Sequence, residues 1–268
     1  PDALLINYTN PLSRVCLAIS RYSRVKVVGL CHELKNQLPK LSEILEVGSD
    51  ELDAMSAGLN HFAWILDLRF KSRGEDAYPL LREKLRSYNP SFQPLCRELF
   101  DKFGLYPCTD DNHVGEYVPY GWDKCPEGSR GLNWISACEY FGEWTLSYVD
   151  DIIAGRVPLE EALEVSRREG ERAFYIIEAI VENRNRIELA VNIPNEGQIS
   201  NLPQGAIVEV PAVVNSSGVH GIHVGVLPKG IASLCNTQIG VQELAVEAAI
   251  TGDRNKALQA LLVDPVVQ

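Results

Sequence analysis

A cysteine and a histidine of this sequence, Cys31 and His61, are of residue types that can hold a metal ion. Cys31 and His32 are adjacent, and His61 follows further along the chain, directly after Asn60. Thiolate and imidazole groups bind first-row divalent cations, and two protein ligands leave coordination positions open for a substrate. The alternative is that Cys31 is a core residue and His61 a hydrogen-bonded turn residue, because their spacing is not by itself a metal signature.

Two polar clusters follow short apolar segments near the start of the chain. Residues 3–6 are wholly apolar, which is typical of a parallel strand covered on both faces, and residues 25–30 predict a second buried strand. Between them, Asn10-Pro11 predicts a helix start, with Asn at the N-cap and Pro at the first helical position. This strand–helix–strand unit places residues 7–10 and 31–32 at the carboxyl ends of strands, where open α/β sheets bind ligands. The dipole of the helix that follows Cys31 should favour its thiolate.

The rest of the chain is predicted to contain both helices and strands. The helices are expected at 33–46, 75–87, 91–103, 134–154, 158–183, 231–251 and 254–262, and the strands at 55–59, 62–70, 187–193, 207–214 and 222–227. The polar stretch 107–130 is rich in Pro, Gly, Asp and Asn, and such long loops are usually functional or mobile. This order predicts an α/β protein, a partial sheet fused to an α+β domain.

The composition excludes several classes of protein. Lys and Arg number 25 against 36 Asp and Glu, so the net charge of -11 disfavours binding to nucleic acid or anionic lipid. No run of about 18 apolar residues is present, so we expect no transmembrane helix. The seven cysteines contain no CxxC pair, and an odd number in apolar contexts indicates a reducing, cytoplasmic environment. Apart from Cys31, they are expected to be buried core residues.

Six motifs, taken in their order, resemble those of family 4 glycoside hydrolases. They are NYTNP (7–11), GLCH (29–32), AGLNHFAW (57–64), NEGQISNLP (195–203), VEVPA (208–212) and ALQALL (257–262). The resemblance covers nearly the whole chain. It implies the C-terminal part of a Rossmann-like parallel sheet at residues 1–48. To this sheet, residues 49–268 would add an α+β catalytic and oligomerisation domain of the lactate/malate-dehydrogenase type.

The resemblance implies a glycosidase that depends on NAD and Mn²⁺, unlike most glycosidases, which use two carboxylates. The family's metal ligands match Cys31 and His61. In the implied reaction NAD takes a hydride from C3 of the sugar and a base removes the C2 proton. The metal, bound to O2 and O3, stabilises the enediolate. The C1 substituent is then eliminated, water adds, and the hydride returns.

The residues that transfer protons are matched less closely than the metal ligands. The family's base comes from a loop that matches TDDNHVGEY at 109–117, which makes Asp111 the first candidate and Tyr117 the second, although loop acids are often solvated caps. The phospho-glycosidase branch has an Asp proton donor after the metal cysteine, whereas this chain has His32, whose imidazole can act as a general acid. The Cys-His pair therefore resembles the branch that acts on non-phosphorylated α-galactosides, α-glucosides or uronides.

Three further residues are candidates for contacts with substrate or cofactor. Asn10 and Asn60 match family positions that contact the sugar or the nicotinamide, and His113 is a candidate substrate contact. Alternatively, the two asparagines only stabilise turns or cap helices. The resemblance also implies a homodimer or homotetramer.

The family's glycine-rich nucleotide-binding turn does not occur in this sequence. Since there is also no initiator Met and no signal peptide, we expect about a hundred residues, roughly one small domain, to precede the chain. Alone, the chain is expected to bind NAD poorly and to be inactive. Two other hypotheses stay open: a NAD-dependent 2-hydroxy-acid dehydrogenase-like enzyme, and an inert fragment that serves only oligomer contacts.

Overall fold

One mixed sheet of seven strands organises the part of the chain that a computed structural model describes, residues 3–121, 134–161, 163 and 172–267. The strands are β1 (Leu4–Asn7), β2 (Lys26–Gly29), β3 (Leu52–Leu59), β4 (Phe62–Phe70), β5 (Arg186–Pro194), β6 (Ile207–Asn215) and β7 (Gly218–Gly221). Their order across the sheet is β1-β2-β5-β6-β3-β4, with β7 paired to β6. The predicted α/β class is confirmed.

Helices pack against this sheet and complete the described fold. They are α1 (Leu12–Tyr22), α2 (Glu33–Leu45), α3 (Tyr78–Ser87), α4 (Pro94–Phe103), α5 (Asp111–Val114), α6 (Trp134–Ile153), α7 (Ala173–Val181), α8 (Lys229–Thr251) and α9 (Arg254–Val263). Within the polar stretch 107–130, α5 and a short 3-10 helix (Pro119–Gly121) are formed, and residues 122–130 lie outside the described residues. Of the predicted helix at 158–183, residues 162 and 164–171 also lie outside them.

The predicted strand–helix–strand unit is confirmed at the N-terminal side of the sheet. Strands β1 and β2 pair in parallel from Leu4↔Lys26 to Asn7↔Gly29, and α1 connects them. The helix start is shifted by one residue from the prediction, because Pro11 has extended backbone and is itself the N-cap. Asn10 lies one residue earlier, and its Oδ1 accepts a hydrogen bond from the Leu12 N–H at 3.2 Å.

The predicted strand at 222–227 is wrong. Strand β7 pairs with β6 in a hairpin that ends at Ala212↔Gly221. Beyond it the Ile222 N–H donates to Pro211 O at 2.7 Å, whereas the Val224 N–H donates to Gln198 O at 2.9 Å. Hydrogen bonds to two different segments prevent continuous pairing, so the alternation of apolar residues here is not that of a strand.

The remaining expectations on burial and membrane insertion agree with the described residues. Cys16, Cys96, Cys108 and Cys235 are buried thiols, as predicted. Cys125 and the side chain of Cys138 lie outside the described residues. No described helix is both long and apolar enough to cross a membrane. The predicted domain boundary after residue 48 falls between α2 and β3 and stays a prediction.

Candidate active site

The end of β2 and the hairpin turn between β3 and β4 bring Cys31 and His61 together. Cys31 Sγ lies 3.2 Å from His61 Nε2. With bonds of roughly 2.3 Å to sulfur and 2.1 Å to nitrogen, two ligands of one cation lie roughly 3.1 to 3.6 Å apart for angles from 90° to the tetrahedral angle. The observed distance therefore suits two ligands of one cation, and it also suits a thiol–imidazole hydrogen bond.

The turn that carries His61 has an unusual backbone. His61 has φ of 117°, a region that residues with a side chain rarely adopt, and its N–H donates to Leu59 O at 2.7 Å. Gly58 precedes the turn with φ of +154°, and a Cβ there would lie 2.6 Å from Ala63 Cα. Such strain persists only where the surrounding structure enforces it, and it concentrates at functional sites.

Burial changes the protonation of both candidate ligands. Burial, helped by the neighbouring His113, lowers the pKa of His61 to about 4, so its imidazole is neutral and able to bind a metal. Burial, together with the charge of Glu209, raises the pKa of the Cys31 thiol to about 12. The backbone N–H of Glu33, at the start of α2, lowers this pKa as expected of a helix N-terminus, but in the protein alone burial outweighs it. A bound divalent cation would supply the positive charge that a thiolate needs.

Two buried carboxylates lie close to this pair. Glu209 on β6 is 2% exposed and accepts a hydrogen bond from Asn192 Nδ2 at 2.9 Å, but no lysine or arginine of the described chain pairs with it. Glu33 accepts from Thr109 Oγ1 at 2.7 Å and lies 3.6 Å from His113 Nε2. Because burial of an unpaired carboxylate is costly, the residues present fit a bound divalent cation.

A cavity of about 560 Å³ opens beside His61, a volume within the range of small-molecule sites. Four residues that line it carry buried polar atoms with no hydrogen-bond partner in the described chain. These atoms are Ser13 Oγ, Arg14 Nε, Asn60 Nδ2 and His113 Nδ1. Since buried polar groups are nearly always paired, their convergence on one cavity points to a polar ligand.

Of the two candidate bases, Tyr117 lines this cavity and Asp111 does not. The carboxylate oxygens of Asp111 accept hydrogen bonds from the backbone N–H groups of Leu95 and Cys96, at 2.9 and 2.8 Å, in the first turn of α4. The Tyr117 hydroxyl donates to Asn60 O at 3.0 Å. The geometry thus favours Tyr117, the second candidate, over Asp111, and the role of base itself stays a prediction.

The other three candidates lie at the rim of the site. His32 is the N-cap residue of α2; its side chain is 48% exposed and its Nε2 lies 3.4 Å from Glu33 Oε1. The His113 ring centroid is 4.1 Å from that of His61. Asn10 is exposed and lines the cavity. Asn10 therefore serves in the turn before α1, not as its N-cap, and also lies at the candidate site.

Several residues near the site were not singled out from the sequence. They are Ser13, Arg14, Glu33, Asp110, Glu209 and Gln242. Glu209 had a signal, because it is the one charged residue in the otherwise apolar motif at 208–212. Asp110 caps α5 through its own carboxylate and has oxygen atoms within reach of Glu33 and His113. Nothing in the sequence singled out Ser13 and Arg14, since both residue types are ordinary in the first turn of a helix.

The motif at 195–203 forms a closed loop away from these residues. The side chain of Asn195 donates to the carbonyls of Ile199, Leu202 and Pro203 and accepts from the N–H groups of Gly197 and Ile199. These bonds are 3.0 to 3.3 Å long. Asn195 therefore holds the loop itself together.

The fold and the site define an α/β protein with a candidate divalent-metal centre and a sugar-sized cavity at its strand ends. Residues 56–267 match the C-terminal domain of family 4 glycosyl hydrolases, and residues 1–47 match the part of the family that precedes it. The chain belongs to family 4 of the glycosyl hydrolases.

Curated relatives of the chain act on several sugars. The α-glucosidase of Erwinia rhapontici is 33% identical over 99% of this chain and 64% of that protein. The α-galactosidase of Bacillus subtilis (strain 168) is 33% identical over 99% of this chain and 61% of that protein. The α-galacturonidase of the same strain is 31% identical over 100% of this chain and 64% of that protein. The chain thus spans about three fifths of the length of these relatives.

Two solved structures share the fold over the whole chain. The lplD protein from Bacillus subtilis has a TM-score of 0.85 at 28% identity, covering 100% of this chain and 66% of that one. A 6-phospho-α-glucosidase from gut microorganisms, solved in complex with NAD and Mn²⁺, has a TM-score of 0.81 at 22% identity, covering 100% of this chain and 63% of that one. At the lower identity the likeness is one of fold.

Proposed function

We propose that this chain is the larger part of an NAD- and Mn²⁺-dependent glycosidase that hydrolyses α-linked, non-phosphorylated sugars of the galactoside, glucoside or uronide classes. The observation that carries the proposal is the 3.2 Å approach of Cys31 Sγ and His61 Nε2 beside a sugar-sized cavity. The α-glycosidases among the relatives support the linkage, and the structure solved with NAD and Mn²⁺ supports the cofactors. A homodimer or homotetramer and a cytoplasmic location stay predictions.

Cys31 and His61 would hold the cation, with the neutral imidazole and the neighbouring carboxylates favouring its binding. When bound, Mn²⁺ would supply Lewis-acid stabilisation of negative charge on sugar oxygens, and NAD would supply a reversible hydride acceptor. The His113 ring, whose centroid lies 4.1 Å from that of His61, packs against the imidazole and limits its rearrangement when a ligand arrives. The unpaired amide of Asn60 is placed to bind a sugar hydroxyl.

Tyr117 is the better-placed residue to remove the proton at C2. Its hydroxyl is fixed by the hydrogen bond to Asn60 O, next to His61. Burial raises the pKa of Tyr117 well above its usual range, so deprotonation requires positive charge close by. His32 would protonate the leaving group, since its side chain reaches solvent and Glu33 can hold the imidazolium at 3.4 Å.

The reaction can be tested on the longest natural form of the protein, because the relatives extend beyond this chain. Nitrophenyl α-galactoside, α-glucoside and both uronides would be offered with NAD, Mn²⁺ and a thiol reductant in D₂O. We expect hydrolysis, deuterium at C2 of the released sugar, and no net consumption of NAD. Hydrolysis without deuterium at C2 would contradict the mechanism. Net oxidation with NADH accumulating would favour a 2-hydroxy-acid dehydrogenase instead.

The candidate metal ligand can be tested separately from the reaction. We expect Cys31→Ser to weaken Mn²⁺ binding, measured by calorimetry, and to lower activity, each by at least about a hundredfold. Cys235→Ala is the matched control, because Cys235 is a buried thiol on α8 that does not line the cavity. Mn²⁺ binding that is unaltered by Cys31→Ser would remove Cys31 as a ligand. No Mn²⁺ binding by the unmodified protein would favour an inert chain.

A further inference from the structure

We propose that the first turn of α1, together with the Arg14 side chain, binds the carboxylate of a uronide sugar. This proposal rests on the proposed glycosidase function and narrows its substrate class to acidic sugars. Ser13 and Arg14 lie in the wall of the cavity that also contains Asn60, His61 and Tyr117. An anion held at this turn would therefore belong to a molecule that shares the cavity with the candidate metal ligand His61.

The Arg14 guanidinium has a buried Nε that no group of the described chain engages. No carboxylate of the described chain forms an ion pair with it. Arg172 shows the usual arrangement, with its Nε donating to the buried Glu188 at 2.5 Å. Because a guanidinium matches a carboxylate in charge and in fork geometry, the unpaired Arg14 indicates an anionic ligand.

The backbone beside Arg14 adds further donors. The Leu12 N–H is bound by Asn10 Oδ1 and the Val15 N–H by Pro11 O, whereas no acceptor in the described chain engages the amides of Ser13 and Arg14. Ser13 is 6% exposed, and its hydroxyl also lacks a partner. The N-terminus of a helix attracts anions through its free amides and its dipole. A hydroxyl, two amides and a guanidinium thus converge within one turn.

The charge of the cavity favours a carboxylate over a phosphate. Arg14 is the one Lys or Arg side chain in the described cavity wall, and Glu116 contributes an opposing negative charge. A sugar carboxylate carries a single negative charge, which one guanidinium can neutralise. A phosphate ester is close to a dianion at neutral pH and calls for more positive charge. The pyrophosphate of NAD is a third anion that could bind here. The experiment must therefore distinguish a sugar carboxylate, a sugar phosphate and this pyrophosphate.

The test compares sugars that differ only at C6, using the longest form of the protein with NAD and Mn²⁺. The α-galacturonide and α-glucuronide would each be compared with the neutral glycoside and with its 6-phosphate. We expect kcat/KM to be at least about tenfold higher for a uronide than for its neutral counterpart. Arg14→Met should lower kcat/KM on the uronide about a hundredfold, as expected for loss of a charge-assisted hydrogen-bond pair. On the neutral glycoside the change should stay below about threefold, and Arg14→Lys should be intermediate.

Arg21→Met is the matched control, since Arg21 lies on the same helix but pairs with Glu243 outside the cavity. Equal losses on acidic and neutral sugars in Arg14→Met would overturn the proposal, as would a preference of the natural protein for the neutral or phosphorylated sugar. A raised KM for NAD with unchanged sugar preference would assign the site to the dinucleotide and overturn it as well.

Direct binding separates failure of this proposal from failure of the glycosidase function. Free galacturonate and glucuronate would be titrated by calorimetry against the natural protein and Arg14→Met, beside galactose and glucose. Selective binding of the acids that is lost in Arg14→Met supports the anion site even if no glycoside is hydrolysed. Binding of acids and neutral sugars with equal affinity would refute it even in an active glycosidase.

Discussion

Two buried asparagines, each within a motif of the family, meet opposite conditions in this structure. Asn195 is 1% exposed, and both ends of its amide are hydrogen-bonded within its own loop. Asn60 is 3% exposed, and its Nδ2 has no partner in the described chain. The first asparagine is satisfied within its own loop, whereas the second lies close to the Cys31 thiol and the Glu209 carboxylate and leaves its Nδ2 available to a ligand.

The difference separates two reasons for a polar residue to be buried. A buried amide whose hydrogen bonds are all made to the backbone stabilises one loop conformation, as Asn195 does for residues 195–203. A buried amide left unpaired beside a cavity costs stability, and binding of a ligand recovers that cost. The hydrogen bonds therefore give the first motif a structural role, and they leave the turn at Asn60-His61 as the candidate for ligand binding.

The largest effect expected from this comparison is a loss of stability in Asn195→Ala. Removing the amide would leave three carbonyls and two N–H groups of the loop without partners, so we expect the free energy of unfolding to fall by about 3 kcal/mol. Asn60→Ala should change it by less than about 1 kcal/mol but lower activity at least about tenfold. Chemical denaturation and kcat/KM measure the two effects. Similar losses of stability in Asn195→Ala and Asn60→Ala would contradict the distinction between a structural and a ligand-binding asparagine.

A second, smaller effect concerns the buried Glu209, which has no cationic partner in the described chain. Burial raises its pKa from the ordinary 4.5 to about 7. Because the folded pKa lies above the unfolded one, the stability it contributes is full below pH 4.5 and is lost as the pH rises through 7. The full pKa shift corresponds to about 3 kcal/mol, but a buried amide also loses hydration. We therefore expect Glu209→Gln to stabilise the metal-free protein at pH 8 by about 2 kcal/mol, measured by chemical denaturation in a chelator.

Glu188 provides the matched control for Glu209→Gln. It is equally buried, but Arg172 and Arg186 form ion pairs with it. Glu188→Gln should therefore destabilise the protein at pH 8, the opposite sign. Added Mn²⁺ should reduce the advantage of Glu209→Gln, because the cation would stabilise the native carboxylate. A destabilised Glu209→Gln in the absence of metal would contradict this account.

The smallest effect is a gain of stability at the candidate ligand itself. His61→Gly should relieve the strain of φ 117° and raise the free energy of unfolding of the metal-free protein by about 1 kcal/mol. His61→Ala keeps a Cβ at the same backbone angle and should show no such gain. Both variants should lose Mn²⁺ binding. If neither variant differs from the natural protein in the chelator, the turn is not strained.

Much of the site's location could be predicted from the sequence, because the relevant signals are local. Apolar runs followed by polar clusters placed residues 7–10 and 31–32 at the ends of two parallel strands, and both strands form. The positions of Cys31 and His61 at strand and turn ends followed from the same pattern. Their proximity is now seen, whereas their role as ligands stays a prediction.

The rest depends on contacts between distant segments. A loop sequence gives the chemistry of Asp111 and Tyr117 but not their directions, which are set when α4 takes the Asp111 carboxylate as its cap. Periodicity shows which face of β6 is buried but not that Glu209 faces Asn192 on β5. At 222–227 the local alternation of apolar residues was misleading, because the backbone N–H groups there donate hydrogen bonds to two different segments.

The order of the strands has a consequence for when the metal can enter. Cys31 follows β2 and His61 follows β3, yet β5 and β6 lie between those two strands in the sheet. The two ligands are 30 residues apart in the chain, but they cannot face each other in this way until the segment from Arg186 to Asn215 has been inserted. A nascent chain that has produced only the first half of this sequence would therefore not sequester the cation. Binding of the proposed cation would then follow completed assembly of the sheet rather than trigger it.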